Sequence, residues 1–505
     1  MTPREIELTR QLEQCLEALN AARTENALLR QKIDLLVKRV FGSSSEQLDK
    51  NQLELLAQPE TSATVAAIVA APEKERIERS RKERTTRLPE NLPVVEEVID
   101  PEPVKAQPAQ WRCLGEEVSE QLDYEPGRFF RRRIVRRKYV HRTNPDLAPL
   151  IAALPARLLD RSLPAPGLLA QIVVGKYCDH LPLYRQEQIY AQRHGVHLPR
   201  QSLARWVELA ADWLKPIYAQ IRTGVMGGGY VQVDETPVDY LEPGHGQTKQ
   251  GYFWTCSRPG GDVFFRWETS RAAACLDHII PVDFTGTLQC DGYAAYRAFA
   301  RGRSGTIALA GCWAHVRRKF FEALAQSPKT AVWIMRQIQN LYRVEARLRE
   351  QRAGPRLRGA VRAHESQPIV ERLQRTLVRL KSSGRHLPQS LLGLALDYAL
   401  GQWATLDVYL GDGRVEIDNN LVENAIRPTA LGKKNWLFVG EADAGERGAI
   451  IYTIIESCRR RGLDPYAYLR DVLTRLPRMT NHQIPEVTPE TWAKAHRLRQ
   501  RPAAA

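Results

Sequence analysis

Three acids spread widely along the chain have the residue types needed for metal-assisted chemistry at phosphorus. Asp234 sits in the middle of YVQVDETPVDY (residues 230–240), Asp291 opens DGYAAY, and Glu423 lies within DNNLVENAIRP (residues 418–428). A charge is costly to bury without a partner, so a carboxylate at the centre of an apolar strand pattern implies one. Hard divalent cations take oxygen ligands, and carboxylates brought together from different elements repel one another unless cations compensate them. Two such cations roughly 4 Å apart stabilise both the attacking and the leaving oxygen of an in-line displacement. Phosphoryl transfer is therefore the chemistry this set would perform. Spacing alone leaves open that these are unrelated surface acids among the 58 in the chain. Glu235 competes with Asp234 for the first position, but strand alternation points it to the opposite face.

The elements needed to position these acids are legible. In the first strand Val231 and Val233 face one side, Gln232 and Asp234 the other. Residues 251–257 (GYFWTCS) and 263–269 (VFFRWET) read as second and third strands joined by the turn PGGD. A short helix is expected over 271–280. A fourth strand over 286–290 delivers Asp291, a fifth spans 305–311, and CWAHVRRKF (residues 312–320) enters a helix. Residues 328–410 read as a basic helical insertion. Asp418 or Asn419 caps the helix carrying Glu423, and Pro428 is expected to stop it. Asn419, Asn420, Ile426 and Arg427 share the face of Glu423, so Arg427 is placed to hold that carboxylate or a phosphate. Three hairpin strands, a helix and a strand ending in Asp form the opening order of a ribonuclease-H-like domain. The predicted fold class is thus multidomain α+β, with this unit over 226–445.

The remaining segments supply candidate contacts. Residues 8–40 carry a heptad repeat, with Leu12, Leu19, Asn26, Ile33 and Val40 at one core position and Leu8, Cys15, Ala22, Leu29 and Leu36 at the other. This is the seam of a self-associating coiled coil (residues 1–45) whose register Asn26 sets. Deleting 8–40 is expected to leave a folded but more weakly associating protein, and unchanged assembly in analytical ultracentrifugation would refute the coil. Residues 46–110 read as a linker and 111–145 as a basic β-rich unit. There Arg131, Arg132, Arg133, Arg136, Arg137 and Lys138 interleave with Phe129, Phe130, Ile134 and Tyr139, which suits nucleic acid or equally a solvated strand. Within 160–222, helices around 184–193 and 200–207 flank a short turn with helix-turn-helix proportions, and Gln201, Ser202 and Arg205 would face a major groove. His315, Arg317, Arg318 and Lys319, with Lys433 and Lys434, complete the expected DNA contacts; His315 reads as a structural or DNA-contacting residue rather than a metal ligand. Residues 446–505 form a helical tail, with Asp464 and Pro465 starting one helix and the end from Pro477 expected to be loose.

Lys and Arg number 73 against 58 Asp and Glu, a net charge of +15, which fits a polyanionic partner. No apolar stretch is long enough to span a membrane. The eight cysteines are scattered without a CxxC pair, as expected of reduced thiols in the cytoplasm.

Taken together, VDETPV, CDGYAAY, AGCWAHVRRKF, DGRVEIDNNLVENAIRP, GKKNWLFVG and LDPYAYLRDVL, with FGSSSEQL and LGEEVSEQLDY, resemble the large transposase of the bacterial insertion sequence family sixty-six over nearly the whole chain. The resemblance implies a DDE-type enzyme in which Asp234, Asp291 and Glu423 match the acidic triad. It implies Mg2+ in a two-metal arrangement, with Mn2+ as a substitute. The implied partners are the double-stranded DNA of the element ends and target, a second copy of the chain, and the small accessory proteins encoded beside such transposases. Two departures stand out. The family's two cysteine pairs near LGEEVSEQLDY are replaced by Cys113 alone, with His141 at the far side, and one thiol and one imidazole cannot close a structural zinc site; zinc is not expected there. Asn424 stands where the family commonly has Arg after the third acid. The alternative functions are a repurposed, catalytically inactive DNA-binding protein and a nuclease without strand transfer.

Overall fold

The computed structural model describes residues 163–500, except 245 and 304, together with short stretches between 127 and 159. The coiled coil, the linker, Cys113, His141 and Arg131, Arg132, Arg133, Arg136 and Arg137 lie outside the described residues. The chain divides into two compact units, one made of Ile221–Pro237 with Gln250–Arg427, the other containing Val238–Lys249 and the described residues before 221 and after 427.

In the second unit, β1 (Lys138–Tyr139) pairs antiparallel with β2 (Leu150–Ile151). Helix α1 (Pro166–Tyr177) is followed by α2 (Leu183–His194), which Gly195 ends with φ 64°, a left-handed conformation that glycine adopts without strain. Next comes α3 (Arg200–Met226), 27 residues long. The expected short second helix over 200–207 thus has no break after Val207. Buried Leu203, Val207, Ala210, Leu214, Ile217 and Ile221 continue at three- and four-residue spacing, and this apolar stripe carries the helix past Pro216.

The first unit is built on a five-stranded sheet in the order β5-β4-β3-β6-β7. Its strands are β3 (Tyr230–Leu241), β4 (Thr248–Ser257), β5 (Val263–Glu268), β6 (Gly286–Gln289) and β7 (Ile307–Ala310). Strands β4 and β5 pair antiparallel through the predicted PGGD turn, whereas β3, β6 and β7 are parallel. The connections are α4 (Cys275–Ile279), shorter than expected, and α5 (Ala294–Gly302). After β7, α6 (Trp313–Glu322) leads into the predicted helical insertion: α7 (Pro328–Glu350), α8 (Pro355–Val361), one π-helical turn (Arg362–Ser366), α9 (Gln367–Ser382), α10 (Leu391–Gly401), α11 (Trp403–Leu406) and α12 (Val408–Gly411). Trp313, Val316, Phe320, Ile334, Ile338, Leu341, Leu373, Leu396 and Trp403 are all buried in one core.

Helix α13 (Asn420–Trp436) carries Glu423 in its first turn and continues through Pro428, which was expected to end it. Pro428 forfeits one backbone hydrogen bond, but the buried face of Val422, Ala425, Ile426, Pro428 and Thr429 keeps the chain helical across it. Helix α14 (Ala442–Arg460) is followed by α15 (Pro465–Arg475), capped as predicted by the Asp464 carboxylate, which accepts from the amides of Tyr466 (3.0 Å) and Ala467 (3.1 Å). From Pro477 to Gln500 the chain is ordered rather than loose. A 3-10 segment (Asn481–Val487) and α16 (Pro489–Gln500) follow, because Ile484 and Val487 are buried, Tyr468 Oη donates to Val487 O (2.6 Å) and Trp492 Nε1 to Asp471 (2.8 Å). Among the described residues, no helix is long and apolar enough to cross a membrane.

Candidate active site

The first unit brings Asp234, Asp291 and Glu423 together from three separate elements. Asp234 lies in β3 with its carboxylate accepting the Glu235 amide (2.9 Å), and Asp291 follows β6 with its Oδ1 accepting the Tyr293 amide (2.9 Å). Burial pushes the Asp234 carboxyl well above the usual carboxylate range, and the charges of Glu235, Glu423 and Asp291 push it further. Convergence thus has an electrostatic signature at Asp234, whose charge is disfavoured by acids remote from it in sequence.

A buried hydrogen-bonded clasp holds this arrangement. In the parallel register Gln232 stands opposite Gln289, each two residues before its strand's acid and each fully buried. Tyr230 Oη donates to Gln289 Oε1 (2.6 Å), which also accepts from Gln232 Nε2 (2.9 Å). Gln232 Nε2 donates in addition to Asp418 O (2.9 Å), and Gln289 Nε2 to Glu416 O (2.8 Å) and Gly311 O (3.0 Å). The Glu416 amide closes the ring onto Tyr230 Oη (2.9 Å). Strands β3 and β6 therefore grip the main chain of residues 416–418, the segment that launches α13 and its Glu423. Breaking such a network leaves several buried polar groups unsatisfied at once. The sequence carried a signal for it, the twice-repeated Gln-x-Asp of residues 232–234 and 289–291, but only pairing in register reveals what the glutamines bind.

Glu235, beside Asp234 in β3, has partners of its own. Its carboxylate accepts from Tyr296 Oη and from Arg271 (Nε, 2.7 Å). Burial still raises its carboxyl despite those donors. Arg271 is half-exposed and its guanidinium lies 3.9 Å from the Tyr293 ring centroid, so a cation borders the acids on the Asp291 side. Neither Arg271 nor Tyr296 was singled out in the sequence. His315, expected among the DNA contacts, stands with Nε2 3.8 Å from a Glu423 carboxylate oxygen. Arg317, Arg318 and Lys319 follow it half-buried, with Lys319 3.5 Å from Glu322, and Arg427 is exposed one helical turn beyond Glu423. In the second unit Gln201, Arg205 and Lys434 are exposed, whereas Ser202 and Lys433 are half-buried; Lys138 begins β1.

The transposase IS66 family model matches residues 161–447. The chain belongs to the IS66 transposase family. Models for the IS66 C-terminal element and for the region described as transposase C of IS166 homeodomain match residues 453–489 and 28–96. Among relatives in Sinorhizobium fredii (strain NBRC 101917 / NGR234), the uncharacterized protein y4jD is 34% identical over 489 residues, 92% of this chain and 94% of the relative. The uncharacterized protein y4qI is 37% identical over 406 residues, covering 76% of this chain and 73% of the relative. The IS66 match spans all of the acids above and the whole clasp.

The donor set fits a hard divalent cation, which takes oxygen ligands and would relieve the repulsion that raises the Asp234 carboxyl. A pH dependence follows. Because the folded carboxyl of Asp234 is raised, its contribution to the stability of the metal-free protein is present at low pH and lost as pH rises through that raised value. A cation must displace the same proton, so Mg2+ affinity is expected to strengthen with pH across this range. Calorimetric titration in two buffers of different ionisation enthalpy checks it: binding heats independent of the buffer would contradict proton release.

Proposed function

We propose that this chain is a DDE-type transposase that binds the ends of its element, cleaves phosphodiester bonds there and joins the freed 3′-hydroxyl to target DNA. The observation that carries the reading is the convergence of Asp234, Asp291 and Glu423 on one site in a chain of this family. Those three carboxylates would hold two Mg2+ ions, or Mn2+, which supply charge stabilisation and nucleophile activation when bound. The protein's own part is positioning. The Gln232–Gln289 clasp fixes the main chain ahead of Glu423 to the two strands that carry the aspartates, so the three donors do not have to be ordered when DNA arrives. Glu235 holds Arg271 at the rim, where its exposed edge can meet a phosphate without displacing an acid. Affinity for DNA rests on phosphate contacts from the exposed cations, Arg205, Arg427 and Lys434 among them, and on the Arg-rich segment around 131–138. Cleavage breaks a P–O bond by attack of water, and joining exchanges one phosphodiester for another by attack of the 3′-hydroxyl.

The test is a Mg2+-dependent joining assay on oligonucleotides bearing the element's ends, run beside a binding assay. Joined product is the expected result. End binding without cleavage or joining, with accessory proteins supplied, would favour a repurposed DNA-binding protein, and cleavage without joining a nuclease.

A further inference from the structure

We propose that Cys312, His315 and Glu423 form a second, softer cation site that takes Zn2+ and shares Glu423 with the magnesium site. Cys312 immediately precedes α6, His315 lies in the first turn of that helix, and Glu423 lies in the first turn of α13. Their ligand atoms, one sulfur, one imidazole nitrogen and one carboxylate oxygen, all lie within 4.8 Å of one another. In a tetrahedral zinc centre such atoms stand roughly 3.5 Å apart, so side-chain adjustments of about 1 Å close the site. The donor chemistry discriminates between ions. A thiolate and an imidazole suit Zn2+ or Co2+, whereas Mg2+ takes oxygen ligands and prefers the all-carboxylate side of Glu423. Three protein ligands leave a fourth position for water.

Burial, and next the charge of Asp418, keep the Cys312 thiol protonated, while the amides of Asn419 and His315 act in the opposite direction. Coordination replaces the thiol proton by the metal, releasing H+ to solvent with no change of oxidation state. A carboxylate drawn toward the sulfur side is withdrawn from the aspartates, so zinc and productive magnesium binding exclude one another. The effect on joining rests on the proposed role of Glu423; zinc binding itself does not. The cluster is separate in sequence from the 111–145 segment, where the sequence leads one to expect no structural zinc.

The test uses the full chain, stripped with chelator and titrated with Co2+. One Co2+ per chain is expected at this site, with a thiolate-to-cobalt charge-transfer band in the near ultraviolet and the visible absorption of a four-coordinate ion, both displaced by Zn2+. Cys312→Ser and His315→Gln are each expected to weaken cobalt binding by more than the roughly 10–100-fold typical of losing a supporting contact. Far-ultraviolet circular dichroism reports whether each variant is folded. No thiolate band, or a band unchanged in either folded variant, overturns the site. For joining, the ratio of rates with and without micromolar Zn2+ is compared within each protein. It is expected to fall at least about tenfold in the parent, a coupling of about 1.4 kcal/mol, and to stay near one in Cys312→Ser. A cobalt band lost on mutation together with zinc-insensitive joining would overturn the sharing of Glu423. A parent that does not join at all would refute the transposase reading while the cobalt titration still decides the metal site.

Discussion

Asp234→Asn, Asp291→Asn and Glu423→Gln are each expected to lower cleavage and joining by several orders of magnitude and to leave end binding nearly unchanged. Each substitution keeps the shape and some hydrogen-bonding capacity of the acid while removing one negative charge that would hold the cations, and positioned charge supplies most of the barrier reduction in such sites. On the proposed reading binding rests on phosphate contacts elsewhere and is expected to be insensitive to this change. Asp234→Asn has a second expected signature. Its carboxyl is raised by burial and by three neighbouring acids, so removing it relieves repulsion. The metal-free variant is expected to melt higher than the parent at neutral pH and to lose the stabilisation Mg2+ gives the parent. Glu235→Gln is the contrast: the amide still accepts from Tyr296 and loses only a charge pair to half-exposed Arg271, so joining should stay within roughly tenfold of the parent. Joining by Glu423→Gln at the parental rate would remove Glu423 from the site, and a Glu235→Gln loss as deep as that of Asp234→Asn would place Glu235 inside it.

Arg362→Met is expected to be the most damaging change in the insertion, destabilising the first unit by about 3–5 kcal/mol. Arg362 and Glu345 are both fully buried and meet in a two-pronged pair, Nε to Oε1 at 2.7 Å and Nη2 to Oε2 at 2.8 Å. Nη1 of Arg362 also donates to Tyr409 O (2.7 Å) and Asp412 O (3.1 Å), which ties the π-helical turn to α12 and the residue that follows it. Arg358 links Glu345 to Glu416, itself also paired with Arg349. Burial disfavours both carboxylates, but these arginines outweigh it and hold them below the ordinary range. Their contribution is therefore present above the ordinary carboxylate range and is lost as pH falls through the depressed values. Removing Arg362 leaves a buried charge without its main partner. Replacing both residues, Glu345→Met with Arg362→Met, should cost less than the single change, because no uncompensated charge remains. Denaturant midpoints of the four proteins of this cycle decide it: a double variant less stable than Arg362→Met would show that the pair itself, not the orphaned charge, supplies the stability. Since Glu416 belongs both to this network and to the segment gripped by the glutamine clasp, the insertion helps to set where Glu423 begins its helix.

The order of strands and helices and the insertion were legible in the sequence because they rest on local physics, whereas spacing alone left the three acids open and only the family resemblance singled them out as a set. Period-two alternation marks β3, the PGGD turn marks the β4–β5 hairpin, an unbroken run of helical pattern marks residues 328–410, and Asp464 before Pro465 marks the start of α15. Where the outcome depended on burial across long sequence distances, local rules erred or were silent. Pro428 is a helix breaker by its own chemistry, yet the buried face of α13 overrides it, and the polar tail beyond Pro477 orders because Tyr468 and Trp492 find partners there. The roles of Gln232, Gln289, Arg271 and Cys312 are likewise tertiary. A glutamine in a strand reads as an ordinary polar residue, and a single cysteine before a helix as a small apolar one, until the register of β3 on β6 and the approach of α13 bring their partners within reach. Alternation and capping act between neighbours in the chain and so can be read from it; hydrogen-bond satisfaction and charge convergence act through space, and only the folded chain sets those distances.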